Sequence, residues 1–329
     1  MEPLRRHIAY CLYSGFVENK PRDLSTLIVA YPERGKSTEA KRFNTIGAME
    51  VQDLSSWGIL HMLMRMPPKE RDMFHHIIVP DLEKLASRSK RLKEELLSTI
   101  RILAEEGFER SLVRTQMFDF EKSGKRALVG FILCTTPEDI GDRRSAFRSY
   151  SFLSRFIPFT YDFSEGLKID ILRFVEDEEN MAKDSITFKR EEKTRVECQD
   201  HYKEMLNPYV DSIAREIDKF SKTSGITSLK DRERKFGIRL KENLITYLKS
   251  IALYNGYEEV RRIHFEAFKL IFPFMNFKFN NIDEDFLTSP FPDEQGTRSR
   301  RILDESISSE IKYPLKTTAG PSALPRKYT

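Results

Sequence analysis

The stretch LSTLIVAYPERGKSTEAKRF, Leu24 to Phe43, decides the fold. Leu24 to Ala30 is a short run rich in β-branched and apolar residues, which favours a strand. Tyr31 to Gly35 carries Pro and Gly and breaks that run. Ser37 to Phe43 then reads as a helix. Strand, tight loop and helix form the first unit of a parallel α/β sheet with helices on both faces.

Within this unit Ala30–Ser37 follows the Walker A pattern GxxxxGK[ST], with Ala30 in place of the first glycine. A loop that enters a helix here points backbone N–H groups at an anion. Gly35 lets the backbone approach a phosphate with no Cβ in the way. Lys36 is expected to reach the β- and γ-phosphates of ATP, and the Ser37 hydroxyl to ligate Mg²⁺. Ala30, Pro32, Glu33, Arg34, Gly35, Lys36, Ser37 and Thr38 make up the expected cofactor-binding loop. The competing reading is a surface loop that holds Gly-Lys-Ser by chance; the flanking strand and helix favour the phosphate. Glu33 fits poorly, because its carboxylate repels phosphate unless it points outward.

A metal site of this kind needs an acid at the end of a neighbouring strand. HHIIVPDLEKL, His75 to Leu85, supplies Asp81 and Glu83 after the apolar run Ile77–Val79. The register stays open. If Asp81 is the metal-side acid, Leu82 falls where a water-activating Glu belongs. If Asp81 takes that second role, Pro80 has replaced the metal acid. A third reading makes Asp81 a helix N-cap and Glu83 a partner of the helix dipole.

Further strands are expected at Thr45–Val51, within Ala127–Cys134 and at Phe156–Tyr161, and helices at 1–20, 53–66 (closed by Pro67 and Pro68) and 89–106. Glu121 to Lys125 (EKSGK) reads as the turn of a hairpin whose second strand is Ala127–Cys134. Residues 164–235 form a charged connecting segment, with a strand-like Ser185–Lys189 and a helix near 199–220. Helical periodicity returns at 238–255 and 262–272, within a helical lid placed at 236–280, and 281–329 has the composition of a poorly ordered tail.

Lys and Arg number 55 and Asp and Glu 51, so the formal charge is 55 − 51 = +4, which permits a nucleic-acid partner without demanding one. Hydrophobic residues reach 40%, enough for a packed core. No stretch approaches the ~20 apolar residues of a spanning helix, and the start shows no signal-peptide cleavage pattern. Cys11, Cys134 and Cys198 are odd in number and far apart, which suits a reducing compartment; the expected location is cytoplasmic or nucleoid-associated. His75, His76 and His264 lack partners at ligand spacing.

Taken in order, these segments resemble an AAA+ ATPase, and most of all the ATPase core of the minichromosome maintenance (MCM) helicase clade. The helix ending Ser14-Gly15 resembles the family's run before the phosphate loop. Cys134-Thr-Thr136-Pro137 resembles sensor 1, with Thr136 in the place of an Asn. Ser151-Phe-Leu-Ser-Arg155-Phe156 resembles the arginine-finger stretch, and Gly237-Ile-Arg239-Leu the start of the sensor 2 helix. The similarity spans about residues 4–160 and 237–272. It implies an αβα P-loop NTPase core over 1–163, with a parallel sheet and a small all-helical C-terminal lid. It implies ATP and Mg²⁺ bound at a subunit junction of a homo-oligomeric ring, with Lys36, Asp81, Glu83, Thr136, Arg155 and Arg239 as catalytic residues. The site is expected to couple to DNA in replication, as a helicase or translocase, or as an ATP-gated initiator or loader with weak hydrolysis. In the family a hairpin before sensor 1 carries a Lys to the DNA backbone; Lys122, Lys125 and Arg126 stand there, and otherwise read as a solvated turn. The family's zinc-bearing N-terminal region has no counterpart in this sequence.

Overall fold

Apolar runs too short to span anything but a sheet dominate the first half of the chain, and they meet as five parallel strands. The computed structural model describes residues 1–43, 45, 47–82, 89–113, 116–120, 126–141, 150–169, 185–188, 192–221 and 237–282. Helix α1 (Glu2–Tyr13) leads to strand β1 (Thr26–Val29), helix α2 (Lys36–Lys41) and strand β2 (Ala48–Glu50). Next come α3 (Ser56–Arg65), which Ser55 caps by accepting from the Gly58 N–H, and α4 (Pro68–Met73). Pro67 and Pro68 were expected only to stop a helix. Pro68 also starts one, because a fixed φ and a missing N–H cost nothing in a first turn.

Strand β3 (His76–Val79) feeds the long helix α5 (Lys90–Glu105), a two-stranded ribbon of β4 (Arg110–Val113) and β5 (Gln116–Asp119), and strand β6 (Gly130–Thr135). Two short helices, α6 (Pro137–Gly141) and α7 (Tyr150–Leu153), precede β7 (Ile157–Thr160) and β8 (Asp162–Phe163). The five-stranded sheet has the order β2-β3-β6-β1-β7, all parallel, with Leu27 opposite both Leu133 and Pro158. The strands β1, β3, β6 and β7 are buried along their whole length, as parallel strands covered on both faces must be.

The ribbon departs from expectation. Gln116–Asp119 pairs antiparallel with Arg110–Val113, not with Ala127–Cys134. Both edges of β6 are taken by β3 and β1, so no antiparallel partner fits beside it. The segment 121–125, expected as a hairpin turn, lies outside the described residues.

The C-terminal half supplies α8 (Asp200–Met205), α9 (Asn207–Ser221), α10 (Ile238–Tyr254) and α11 (Arg262–Ile271). The single helix expected near 199–220 is therefore two, divided at Leu206 just before Pro208. Ser185–Lys189 contributes an isolated bridge, Phe43 to Ile186, and no strand among its described residues. Helix α10 packs on α1 through buried rings. Tyr10 meets Tyr247 and Tyr254 edge-on at 5.8 and 5.2 Å, and His7 links Tyr247 to Thr26 at 2.9 and 2.7 Å. Met1–Glu294 cluster as one compact unit. A final strand β9 (Asn281–Ile282) pairs parallel with β8; residues 283–329, most of the expected tail, lie outside the described residues. Among the described residues no helix is long and apolar enough to cross a membrane.

Candidate functional site

At the C-terminal edge of the parallel sheet, β1, β3 and β6 end side by side, the place where open α/β sheets bind ligands. Ala30 leaves β1 fully buried, its N–H donating to the Thr135 carbonyl at 3.3 Å. Tyr31, Pro32 and Glu33 are exposed. Glu33 lies in the left-handed region at φ 63°, and Gly35 follows at φ 72°. A Cβ on Gly35 would stand 3.0 Å from Met1 Cε. Lys36 opens α2 and is buried; Thr38, two residues on, is exposed.

Two contacts hold the loop from beyond β7. The Tyr161 hydroxyl donates to the Arg34 carbonyl at 2.8 Å, and Arg34 Nε pairs with Asp162 at 2.7 Å. Burial pushes the Tyr161 hydroxyl well above its ordinary pKa, so it remains a donor at neutral pH. Neither residue stood out in the sequence, since the β7–β8 junction carries no motif.

Opposite the loop, the Ser37 hydroxyl donates to the Pro80 carbonyl at 2.5 Å. Pro80 thus stands where a metal-side acid would accept from this serine, and Asp81 comes one residue later. Leu82 is buried, and its N–H bonds the Cys134 carbonyl at 2.9 Å. Glu83 lies outside the described residues. Cys134, on β6, has its thiol pushed up to about 12 by burial, with Lys36 and Asp81 acting on it in opposite senses. Lys36, Asp81 and the end of β6 therefore share one electrostatic neighbourhood. Thr136 is half-buried there, and its hydroxyl donates to the Asp139 carboxylate at 2.9 Å, as does that of Thr135 at 3.1 Å.

The donor set suits a cation that arrives on a nucleotide. Mg²⁺ keeps waters and phosphate oxygens and takes one or two carboxylates, which Ser37 and Asp81 can complement. Among the described residues no three His, Cys, Asp or Glu side chains are grouped for a metal. His75 and His76 face each other at 2.6 Å between Nδ1 atoms, and His264 Nδ1 accepts from the Arg261 N–H at the start of α11.

The two candidate arginines sit elsewhere. Arg155 precedes β7, whose Ile157 lies opposite Thr26 at the start of β1. The Ala30–Ser37 loop follows the other end of β1, about 13 Å away at ~3.3 Å per strand residue. Arg155 and Arg239 meet there on Glu105, the end of α5, with Arg155 Nε at 2.6 Å from the carboxylate. Arg126 is exposed and pairs with Glu109 at 2.7 Å; Lys122 and Lys125 lie outside the described residues. Glu105 was missed, although an acid in the last turn of a helix opposes the helix dipole and so signals a cation nearby.

No family model matches this chain, and no curated protein matches it.

Proposed function

We propose that this chain is an ATPase of the AAA+ type, similar to the MCM helicase core, with its nucleotide at the junction of two copies. One observation carries the reading. A buried parallel strand delivers a loop with left-handed Gly35 and buried Lys36 to the sheet edge where Ser37 touches the chain beside Asp81. Lys36 neutralises the β- and γ-phosphates, and loop N–H groups orient them. Bound Mg²⁺ would draw charge from the same oxygens, held through Ser37 with Asp81 close by. Asp81 positions and deprotonates the attacking water, and Thr136 hydrogen-bonds that water or the γ-phosphate.

Arg155 and Arg239 lie at the far edge of the sheet, out of reach of their own loop. Their side of the molecule suits a neighbour's γ-phosphate, whose spread charge a planar guanidinium matches. Coupling to DNA runs through Lys122, Lys125 and Arg126, by sequence-independent phosphate contact. Substitution of Lys36 by Ala is expected to abolish ATP binding, read by equilibrium titration with a fluorescent ATP analogue. Mixing Lys36→Ala with Arg155→Ala chains is expected to restore part of the turnover, because one intact junction forms from two broken ones. Full turnover by a dilute monomer overturns the composite site.

A second reading is favoured by Pro80. With a carbonyl where the metal acid belongs, the site binds ATP and hydrolyses it slowly, as an initiator or loader does. Turnover measured against protein concentration, with and without single-stranded DNA, separates the two: DNA-stimulated hydrolysis rejects the slow-switch reading.

A further inference from the structure

Glu105 gathers three arginines. Its carboxylate meets Arg155 at 2.6 Å, Arg22 at 3.5 Å, and Arg239. Arg22 also pairs with Glu242 of α10. The partners come from the segment before β1, the turn before β7 and the first turn of α10, so distant parts of the chain converge on one helix end. The Glu105 side chain is 10% exposed and that of Arg155 12%, whereas Arg239 is 43% exposed and faces outward. Burial lowers the Arg155 pKa, and Arg239 and Arg101 push it the same way, against Glu105 and Glu106. Guanidinium groups grip carboxylate and phosphate with the same planar fork.

We infer that Glu105 is an internal stand-in for the terminal phosphate of a nucleotide held by a second copy of this chain. In the lone subunit it holds Arg155 and Arg239 together; on assembly it yields them to the phosphate. This rests on the ATPase reading above and adds its regulation. Release from Glu105 precedes the new contact, so the apparent affinity between copies is reduced by the fraction of arginines that are free. Glu105 acts through the arginines and is a positioning residue.

The experiment uses the full chain. Self-association is measured by sedimentation against protein concentration, with ATPγS, with ADP and without nucleotide. In Glu105→Gln the ATPγS midpoint is expected to fall roughly tenfold, equivalent to 1.4 kcal/mol, with the other two conditions unmoved. Glu105→Asp keeps the charge with a shorter reach; it is expected to shift the same way by less, and it carries the test if the Gln variant does not fold. An unchanged ATPγS midpoint in a folded variant overturns the inference. So does an equal shift without nucleotide, which marks a structural role. Lys36→Ala separates the two levels. If it binds ATP as the parent does, the ATPase reading fails and the inference with it. If it loses ATP while Glu105→Gln leaves the midpoint in place, the inference alone fails.

Discussion

Glu33 holds a left-handed backbone at φ 63°, next to a glycine that holds the same conformation at φ 72°. A residue with a Cβ pays about 1–2 kcal/mol for that region. Strain of this kind collects at functional loops. Glu33→Gly is expected to raise stability by about 1 kcal/mol, or roughly 2 °C in Tm. It also removes a carboxylate from the approach to the loop, so ATP affinity is expected to rise; calorimetry and nucleotide titration read the two effects. A lower Tm would show that the Glu33 side chain holds the loop rather than straining it. The sequence flagged Glu33 on charge grounds. It was silent on backbone strain, because the dihedral is imposed by the loop's anchors at Ala30, Tyr161 and Pro80. Asp81→Asn keeps the shape and loses the proposed base. Turnover is expected to fall by about 10²–10⁴ with ATP binding kept; unchanged turnover would return Asp81 to a helix-capping role.

Elements were legible where a pattern is local. The strands β1, β3 and β6 and the helices α5 and α10 lie within a few residues of where periodicity places them, because a buried parallel strand is apolar throughout and an amphipathic helix repeats every turn. The ribbon was not legible: which strand pairs with β5 depends on whether the edges of β6 are already occupied. The loop's outer support was equally hidden, since Tyr161 is one more aromatic residue in the sequence. Tyr161→Phe removes its hydrogen bond to the Arg34 carbonyl. Stability is expected to drop by about 1 kcal/mol, and ATP affinity to weaken with it. Equal Tm and affinity for both proteins would show that the bond supports nothing. Just before β2, Gly47 has φ 82°, and a Cβ there would lie 2.1 Å from the Met73 carbonyl. Gly47→Ala is expected to cost about 3 kcal/mol, summing left-handed strain and the clash, read as loss of soluble folded protein or a Tm drop of several degrees.

Across the whole molecule, three of the buried histidines, His7, His76 and His264, make stability depend on pH. Burial lowers His7 to about 3, and His76 and His264 to about 4 each. Unfolded, each titrates near 6.5. Their stabilising contribution is complete above pH 6.5 and declines as pH falls, because the unfolded chain takes up protons that the folded chain refuses. By pH 5 the slope approaches about 4 kcal/mol per pH unit for three such groups. Thermal melts from pH 7.5 to 5 are expected to show this decline; a flat Tm over that range would mean the histidines are hydrated. What the sequence by itself determined is the parallel α/β class and the glycine-lysine-serine loop between strand and helix, because both follow from residue types at short spacing. What only the tertiary structure decided is the meeting of Glu105 with Arg155 and Arg239, the support of the loop by Tyr161 and Asp162, and the place of Pro80 against Ser37. Those depend on which chain segments the core brings together, and hydrophobic burial fixes that through many contacts distant along the chain, none of which leaves a local pattern.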